Sequence, residues 1–410
     1  MDRRVGDRAP AQRRRSRLLR RPGRRRAAGG AGPVAQQRPG RAPHPGRGCG
    51  RSAPRPSRCR GPRRAGGRPR PAPDLVRQAQ PRQGPRPVPG RRLRPGGAGL
   101  TARLAAVTGA TGFLGRQLLR TLAADGWRLR VLARRDPGDA DWRGLGLEVV
   151  PGDMADTQAL ARLASGADVV IHTAGLVKAR SRAAFDAVNV EGARRLAEAA
   201  RDAPHVVMVS SLTAREPQLS HYSASKAAGE VAMAAVLGDR LTIARPCAIY
   251  GPGDRELLPV FQAAAASPIL PLLDARARVA MIHVEDAARQ IAALATEPPA
   301  SRRVALSDSR PDGYGWRELM QAAARACGRR PVFAPVPGAL VRAIGITNDF
   351  TMLLGRTPML SSAKARELLH LNWAVAPEER PWDAPRALCD LDTGFSATVA
   401  WYRAAGWMKQ

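Results

Sequence analysis

Tyr222 and Lys226 stand four residues apart in the string YSASK, a spacing that on a helix stacks a phenol and an ammonium on one face. A free phenol, with a pKa of about 10, is a weak base near neutrality; an ammonium beside it favours the phenolate and brings it toward working range. A residue so placed can shuttle the proton of an alcohol or carbonyl while a nicotinamide exchanges hydride, and the lysine can also hold the nicotinamide ribose. Ser211 closes a predicted strand shortly before the tyrosine, where its hydroxyl can bond a substrate oxygen and orient it for transfer. Ser210 is the neighbouring candidate for that role and Thr213 a third.

Hydride transfer needs a cofactor, and TGATGFLG, residues 108–115, has the form of a site for one. Gly109, Gly112 and Gly115 follow a predicted strand and open a predicted helix, so the loop, with Thr111, Phe113 and Leu114, can bring backbone N–H groups to a pyrophosphate at the positive helix end. The spacing is G-x-x-G-x-x-G rather than the dinucleotide fingerprint G-x-G-x-x-G. About 20 residues past such a loop, an acid binds the ribose 2′-hydroxyl of NAD, or an arginine accommodates the 2′-phosphate of NADP. Here the second strand ends Ala133-Arg134-Arg135-Asp136. Arg134 comes first, which makes NADP the preferred cofactor, and Asp136 keeps NAD open.

These groups must be held by the elements around them. Strands are predicted at 104–107, 129–133, 148–150, 168–172, 205–210 and 241–244, alternating with helices at 113–125, 157–165, 187–201 and 222–237. That alternation predicts an α/β fold, a Rossmann-like doubly wound parallel sheet, over residues 101–253. The β-branched run at 168–172 suits a strand covered by helices on both faces. Residues 254–410, richer in proline and with scattered tryptophans, predict a smaller mixed substrate-binding lobe. Its segment 280–306 is expected to return to the main sheet through strands at 280–284 and 303–306, and the substrate is expected in the cleft between the lobes.

Composition divides the chain before residue 101. Residues 1–100 hold 29 Arg, no Lys and three acids, and so +26 of the formal +33; they contain no Phe, Tyr, Trp, Ile, Asn, Thr or Glu. Too little apolar area is present to offset about 1 to 2 kcal/mol of backbone entropy per ordered residue, so an N-terminal arm without a fold is expected. So much arginine would attract phosphate backbones or an anionic membrane surface. The lack of lysine, of interleaved aromatics and of an amphipathic pattern argues against nucleic acid as a partner. The missing residue types are largely those of AT-rich codons, which fits translation of DNA upstream of the true start.

No run of 18 apolar residues suggests a membrane span, and no apolar segment with a small-residue cleavage site suggests secretion, so a cytoplasmic location is expected. Five scattered cysteines form no C-x-x-C pair; His172, His221 and His283 have no metal-ligand spacing, and no metal is expected.

Seven strings, in order, resemble the signatures of the extended short-chain dehydrogenase/reductase family, the NAD-dependent epimerase/dehydratase group. They are TGATGFLG (108–115), GDMAD (152–156), HTAG (172–175), NVEGARRL (189–196), YSASK (222–226), RPCAIYGPGD (245–254) and MIHVEDAA (281–288). The resemblance runs from about residue 103 to the C-terminus. It implies a catalytic trio of Ser211, Tyr222 and Lys226. It also implies Asp153 and Met154 against adenine, Ala174 and Gly175 beside the cofactor ribose, Pro246 near the nicotinamide, and Asn189 in a helix supporting the site. Ser211 lies closer to Tyr222 than in the family's sugar-nucleotide epimerases, and the arginines after strand two resemble the reductase branch.

The leading expectation is therefore an NAD(P)-dependent oxidoreductase interconverting an alcohol and a carbonyl on a partly apolar small molecule. The apolar segments 260–266 and 352–354 motivate that substrate, although they suit an ordinary core equally well. One alternative is a nucleotide-sugar epimerase or dehydratase that retains NAD; another is a non-catalytic NADP-binding subunit. A homodimer is the default for the assembly.

Overall fold

The computed structural model describes residues 102–135, 142–353, 360–380 and 383–409, with side chains left undescribed at 351–353. The arginine-rich arm, Asp136, Leu354 and the side chains of Met352 and Leu353 thus lie outside what is described.

Thirteen strands occur among the described residues: β1 (Leu104–Thr108), β2 (Arg128–Ala133), β3 (Glu148–Pro151), β4 (Val169–His172), β5 (Val206–Val209), β6 (Leu241–Pro246), β7 (Ala248–Tyr250), β8 (Ile269–Leu272), β9 (Arg278–Val279), β10 (Met281–His283), β11 (Arg302–Leu306), β12 (Val332–Pro335) and β13 (Asn372–Trp373). The helices are α1 (Phe113–Ala124), α2 (Thr157–Ala164), α3 (Arg182–Asp186), α4 (Ala193–Ala199), α5 (His221–Leu237), α6 (Leu258–Ala266), α7 (Val284–Thr296), α8 (Trp316–Ala326), α9 (Gly338–Leu353), α10 (Ser362–Leu369) and α11 (Leu391–Ala404).

Seven strands form one parallel sheet in the order β11-β6-β5-β4-β1-β2-β3, a Rossmann-like fold. Every residue of β1, β4 and β5 is buried, because helices cover both faces. Leu118, Leu119 and Leu122 of α1 pack with Ile291 and Leu294 of α7 on one face. Leu160 and Leu163 of α2, Leu196 of α4 and Met233 and Leu237 of α5 fill the other. The strand order reverses between β1 and β4, and a crevice opens there beyond the carboxyl ends.

The two segments expected to rejoin this sheet part ways. β11 pairs with β6 at its edge, as expected, but β10 pairs with β7 in a separate two-stranded sheet. Only one residue, Cys247, separates β7 from the end of β6, so the chain leaves the main sheet there and β10 follows it. Apolar α6, read as a possible substrate-facing segment, puts Phe261 and Ala264 into a core built with Tyr250, Phe395 and Tyr402. Phe261 meets Phe395 edge to face, ring centroids 4.9 Å apart, so these residues are structural.

Candidate active site

The turn after β1 and the loop after β4 meet at the crevice. Gly109 has φ +74°, and a Cβ there would sit 2.5 Å from the backbone nitrogen of Ala174. A Cβ on Gly115 would overlap the carbonyl oxygen of Gly109, so only glycine lets α1 start so close against the turn. Gly112 is the N-cap and brings no side chain to the first N–H groups of α1. A bare, positive helix end beside a cradle that any Cβ would fill is what a dinucleotide pyrophosphate requires, and these residues fit one.

Other expected cofactor positions ring the crevice. Arg134 is exposed just past β2, Thr111 is exposed in the turn, and Phe113 and Leu114 open α1 half-buried. Asp153, past β3, is exposed and accepts a hydrogen bond from the Ala155 N–H at 2.8 Å, while Met154 beside it is half-buried. Pro246 is buried at the end of β6. Lys178, past β4, pairs with Glu256, past β7, at 2.7 Å, joining loops from two sides of the cleft.

Tyr222 and Lys226 lie on α5, whose N-cap Ser220 accepts from Ser223 N–H. Tyr222 is half-buried, with the Ser211 side chain beside its phenol. The phenol is pushed up to about 12, chiefly by burial, then by the nearby Glu367 and Glu256 charges, with the Ser211 side chain pulling the other way. This reverses the downward shift expected from Lys226. The lysine is itself buried, its Nζ donates to the Val209 carbonyl at 2.9 Å, and burial lowers it to about 8 while Glu230 raises it. Desolvation of the phenol therefore prevails, and Tyr222 is protonated at neutral pH.

The tight loop before α5 separates the candidate hydroxyls. Ser210 is buried and donates to Glu230 Oε1 at 2.5 Å, so it is committed away from the cleft. Ser211 caps the short helical turn 212–215 and receives a bond from the Thr213 hydroxyl at 3.0 Å, leaving it the member of the trio in contact with Tyr222.

Asn189 fixes the loop after β4. Its side chain accepts from Leu176 N–H at 2.8 Å and donates to the Leu176 carbonyl and to Ser225 on α5. A Cβ at Gly175 would lie 3.2 Å from Asn189 Oδ1 and 3.6 Å from Lys226 Nζ, which brings the expected ribose-side residues together. Asn189 sits in a π-helical stretch, 187–192, rather than in the continuous helix expected. Gly229 of α5 packs so closely that a Cβ would overlap the Asn189 carbonyl, and the wider turn accommodates that approach.

His172 is neutral: burial, then the Lys226 charge, lowers it to about 3, and its Nδ1 lies 2.8 Å from the Thr108 hydroxyl. Sequence reasoning missed Glu230, the buried carboxylate one turn beyond Lys226. It accepts from Ser210, from two nitrogens of Arg245 at 2.9 and 2.6 Å, and from Arg303 at 3.3 Å. Its i+4 spacing from Lys226 was the available signal. Glu367 of α10 was also missed; it accepts from Ser223, next to Tyr222, at 3.3 Å.

Residues 105–305 match the family model described as the NAD dependent epimerase/dehydratase family. The chain is 51% identical over 307 residues to a ceramide reductase of Caulobacter vibrioides, covering 74% of this chain and 96% of that protein. Among solved structures, gox2253 superposes with a TM-score of 0.60 at 21% identity over 75% of this chain and all of that one. UDP-glucose 4-epimerase of Thermotoga maritima gives a TM-score of 0.53 at 17% identity, covering 74% of this chain and 99% of the epimerase. At these identities the two structures speak for the fold alone.

Proposed function

This chain belongs to the NAD-dependent epimerase/dehydratase family and is an NAD(P)-binding oxidoreductase, and we propose that it reduces a ketone on a ceramide-type lipid to the secondary alcohol. Similarity to a ceramide reductase along nearly that protein's whole length supports the substrate class. The observation that carries the direction is the half-buried Tyr222 phenol beside Ser211, which burial keeps protonated.

The nicotinamide cofactor, when bound, supplies the hydride that reduces the carbonyl carbon by two electrons. Ser211 hydrogen-bonds the carbonyl oxygen and fixes its position. Tyr222 gives its proton to that oxygen as the C–O bond becomes that of an alcohol, and solvent returns a proton to the phenolate. Even pushed up to about 12, the phenol remains a stronger acid than an alcohol and donates downhill to an alkoxide. Lys226, one turn along the same face, contributes positive charge as the phenolate forms. NADP is the favoured cofactor on this reading, supported by exposed Arg134 past β2.

Tyr222→Phe tests the mechanism: NADPH-dependent reduction should fall by about 10² to 10⁴-fold while NADPH affinity stays the same. Unchanged turnover would refute Tyr222 as the proton donor. Tightly retained NAD with no net NADPH consumption would instead mark an epimerase.

A further inference from the structure

Helix α9 breaks the rule that a surface helix is apolar on one side only. Val341 and Gly345 are buried, and a Cβ on Gly345 would stand 3.0 Å from Ser362 Cα and 3.1 Å from Ala365 Cβ, so this face packs closely on α10. The outward face is apolar too: Leu340, Ile344, Ile346 and Phe350 are 51, 43, 54 and 65% exposed. At 100° per residue these four, with the exposed Ala339, Ala343 and Thr347, form one arc of about 160°. An exposed apolar arc of this width on a surface helix marks a site for a partner or for lipid. Among the described residues no helix is long and apolar enough to cross a membrane, so this one would lie along a surface.

We propose that the outer face of α9 docks on an anionic phospholipid bilayer and delivers a bilayer-borne lipid to the Tyr222 cleft; the delivery step rests on the lipid-ketone reading above. Charge selects this occupant. The charged side chain bordering the arc is the exposed Arg342. On α10 Lys364 pairs with buried Glu367 at 3.2 Å, and half-buried Asp349 of α9 accepts from Ser362 N–H at 3.1 Å, so neither helix exposes an acid among the described residues. An apolar strip with a cation at its border matches lipid tails below anionic headgroups. Position links the strip to the chemistry: α10 meets α5 through Ser223–Glu367, and Arg366 donates to the Leu219 carbonyl in the loop before α5.

The test uses the full chain, vesicles of phosphatidylglycerol and phosphatidylethanolamine, and a triple variant, Ile344→Glu, Ile346→Glu and Phe350→Glu. At about 0.5 M salt, which screens the attraction of the arginine-rich arm to anionic headgroups, the wild type should float with the vesicles, and the variant should stay behind with an unchanged melting temperature. Reduction of a short-chain, water-soluble ketone analogue of ceramide should be equal in both, whereas reduction of a long-chain analogue embedded in the vesicles should fall at least about tenfold in the variant. A wild type that does not float, or a variant that floats equally well, overturns the docking surface. So does a variant that converts a dimer to a monomer, because a second copy would then cover the strip. A wild type that floats but reduces neither analogue upholds the docking surface and refutes the substrate reading alone.

Discussion

Replacing Glu230 by Gln removes one buried charge and little volume, and its consequences can be worked from the structure. Glu230 is 2% exposed and binds Arg245, which is 17% exposed, and Arg303, which is 53% exposed. Breaking a fully buried pair costs about 3 to 5 kcal/mol, but both arginines still reach water and Gln keeps an acceptor for Ser210, so about 2 kcal/mol is expected. The sharper readout is Lys226. Burial lowers this lysine to about 8, and Glu230 holds it up against that burial. His172 and Tyr222 stay neutral, so neither replaces the lost negative charge. Lys226 should then lose its proton at lower pH. Measured as kcat/KM for ketone reduction against pH, the alkaline limb should move from about 8 to lower pH. A limb that stays in place while the melting temperature drops would show that Glu230 only anchors strands, and the electrostatic reasoning would fail.

Gly115→Ala should abolish NAD(P) binding or force α1 away from its turn, because the added methyl would overlap the Gly109 carbonyl; fluorescence titration with NADPH showing wild-type affinity would contradict this. Arg134→Ala should weaken NADPH by about tenfold and leave NADH nearly unchanged, checked by the ratio of kcat/KM values; equal losses for both would remove Arg134 from the 2′-phosphate. His172 has a folded pKa of about 3 against 6.5, so below pH 6.5 the unfolded chain binds a proton that the fold does not. The stability it confers is present above 6.5 and is lost as pH falls, by about 2 kcal/mol at pH 5. Urea melts of His172→Asn at pH 7 and 5 should differ less than those of the wild type; an identical difference would count against a buried neutral imidazole.

The parts of the fold legible in the sequence were those encoded by short-range spacing. Alternating strands and helices announced the sheet, three glycines announced the turn after β1, and the i, i+4 interval put Tyr222 and Lys226 on one face of α5. What spacing along the chain does not carry is which distant residues approach. Glu230 draws on partners 20, 15 and 73 residues away, and nothing local marks them. The π-helical turn at Asn189 exists because Gly229, forty residues on, crowds it. The sign of the Tyr222 shift was misread for the same reason: the neighbouring ammonium is visible in the sequence, while the burial that outweighs it is a property of the assembled cleft.

On the proposed reading, one helix serves as both reagent and support. Tyr222, Lys226 and Glu230 follow at i, i+4 and i+8, and burial deepens along them from a half-buried phenol to a buried carboxylate. At the cleft, burial outweighs the neighbouring ammonium and keeps the phenol protonated, which suits donation to a carbonyl better than removal of a proton from an alcohol. At the inner end, Glu230 ties α5 to Ser210 at the end of β5 and to arginines on β6 and β11. Because Ser210 and Ser211 are adjacent, the bond that anchors the helix also sets where the Ser211 hydroxyl meets the Tyr222 phenol. Displacing α5 along its axis would therefore strain the Ser210–Glu230 bond as well as shift the phenol against Ser211, so the anchor helps hold the geometry of the proposed proton donation.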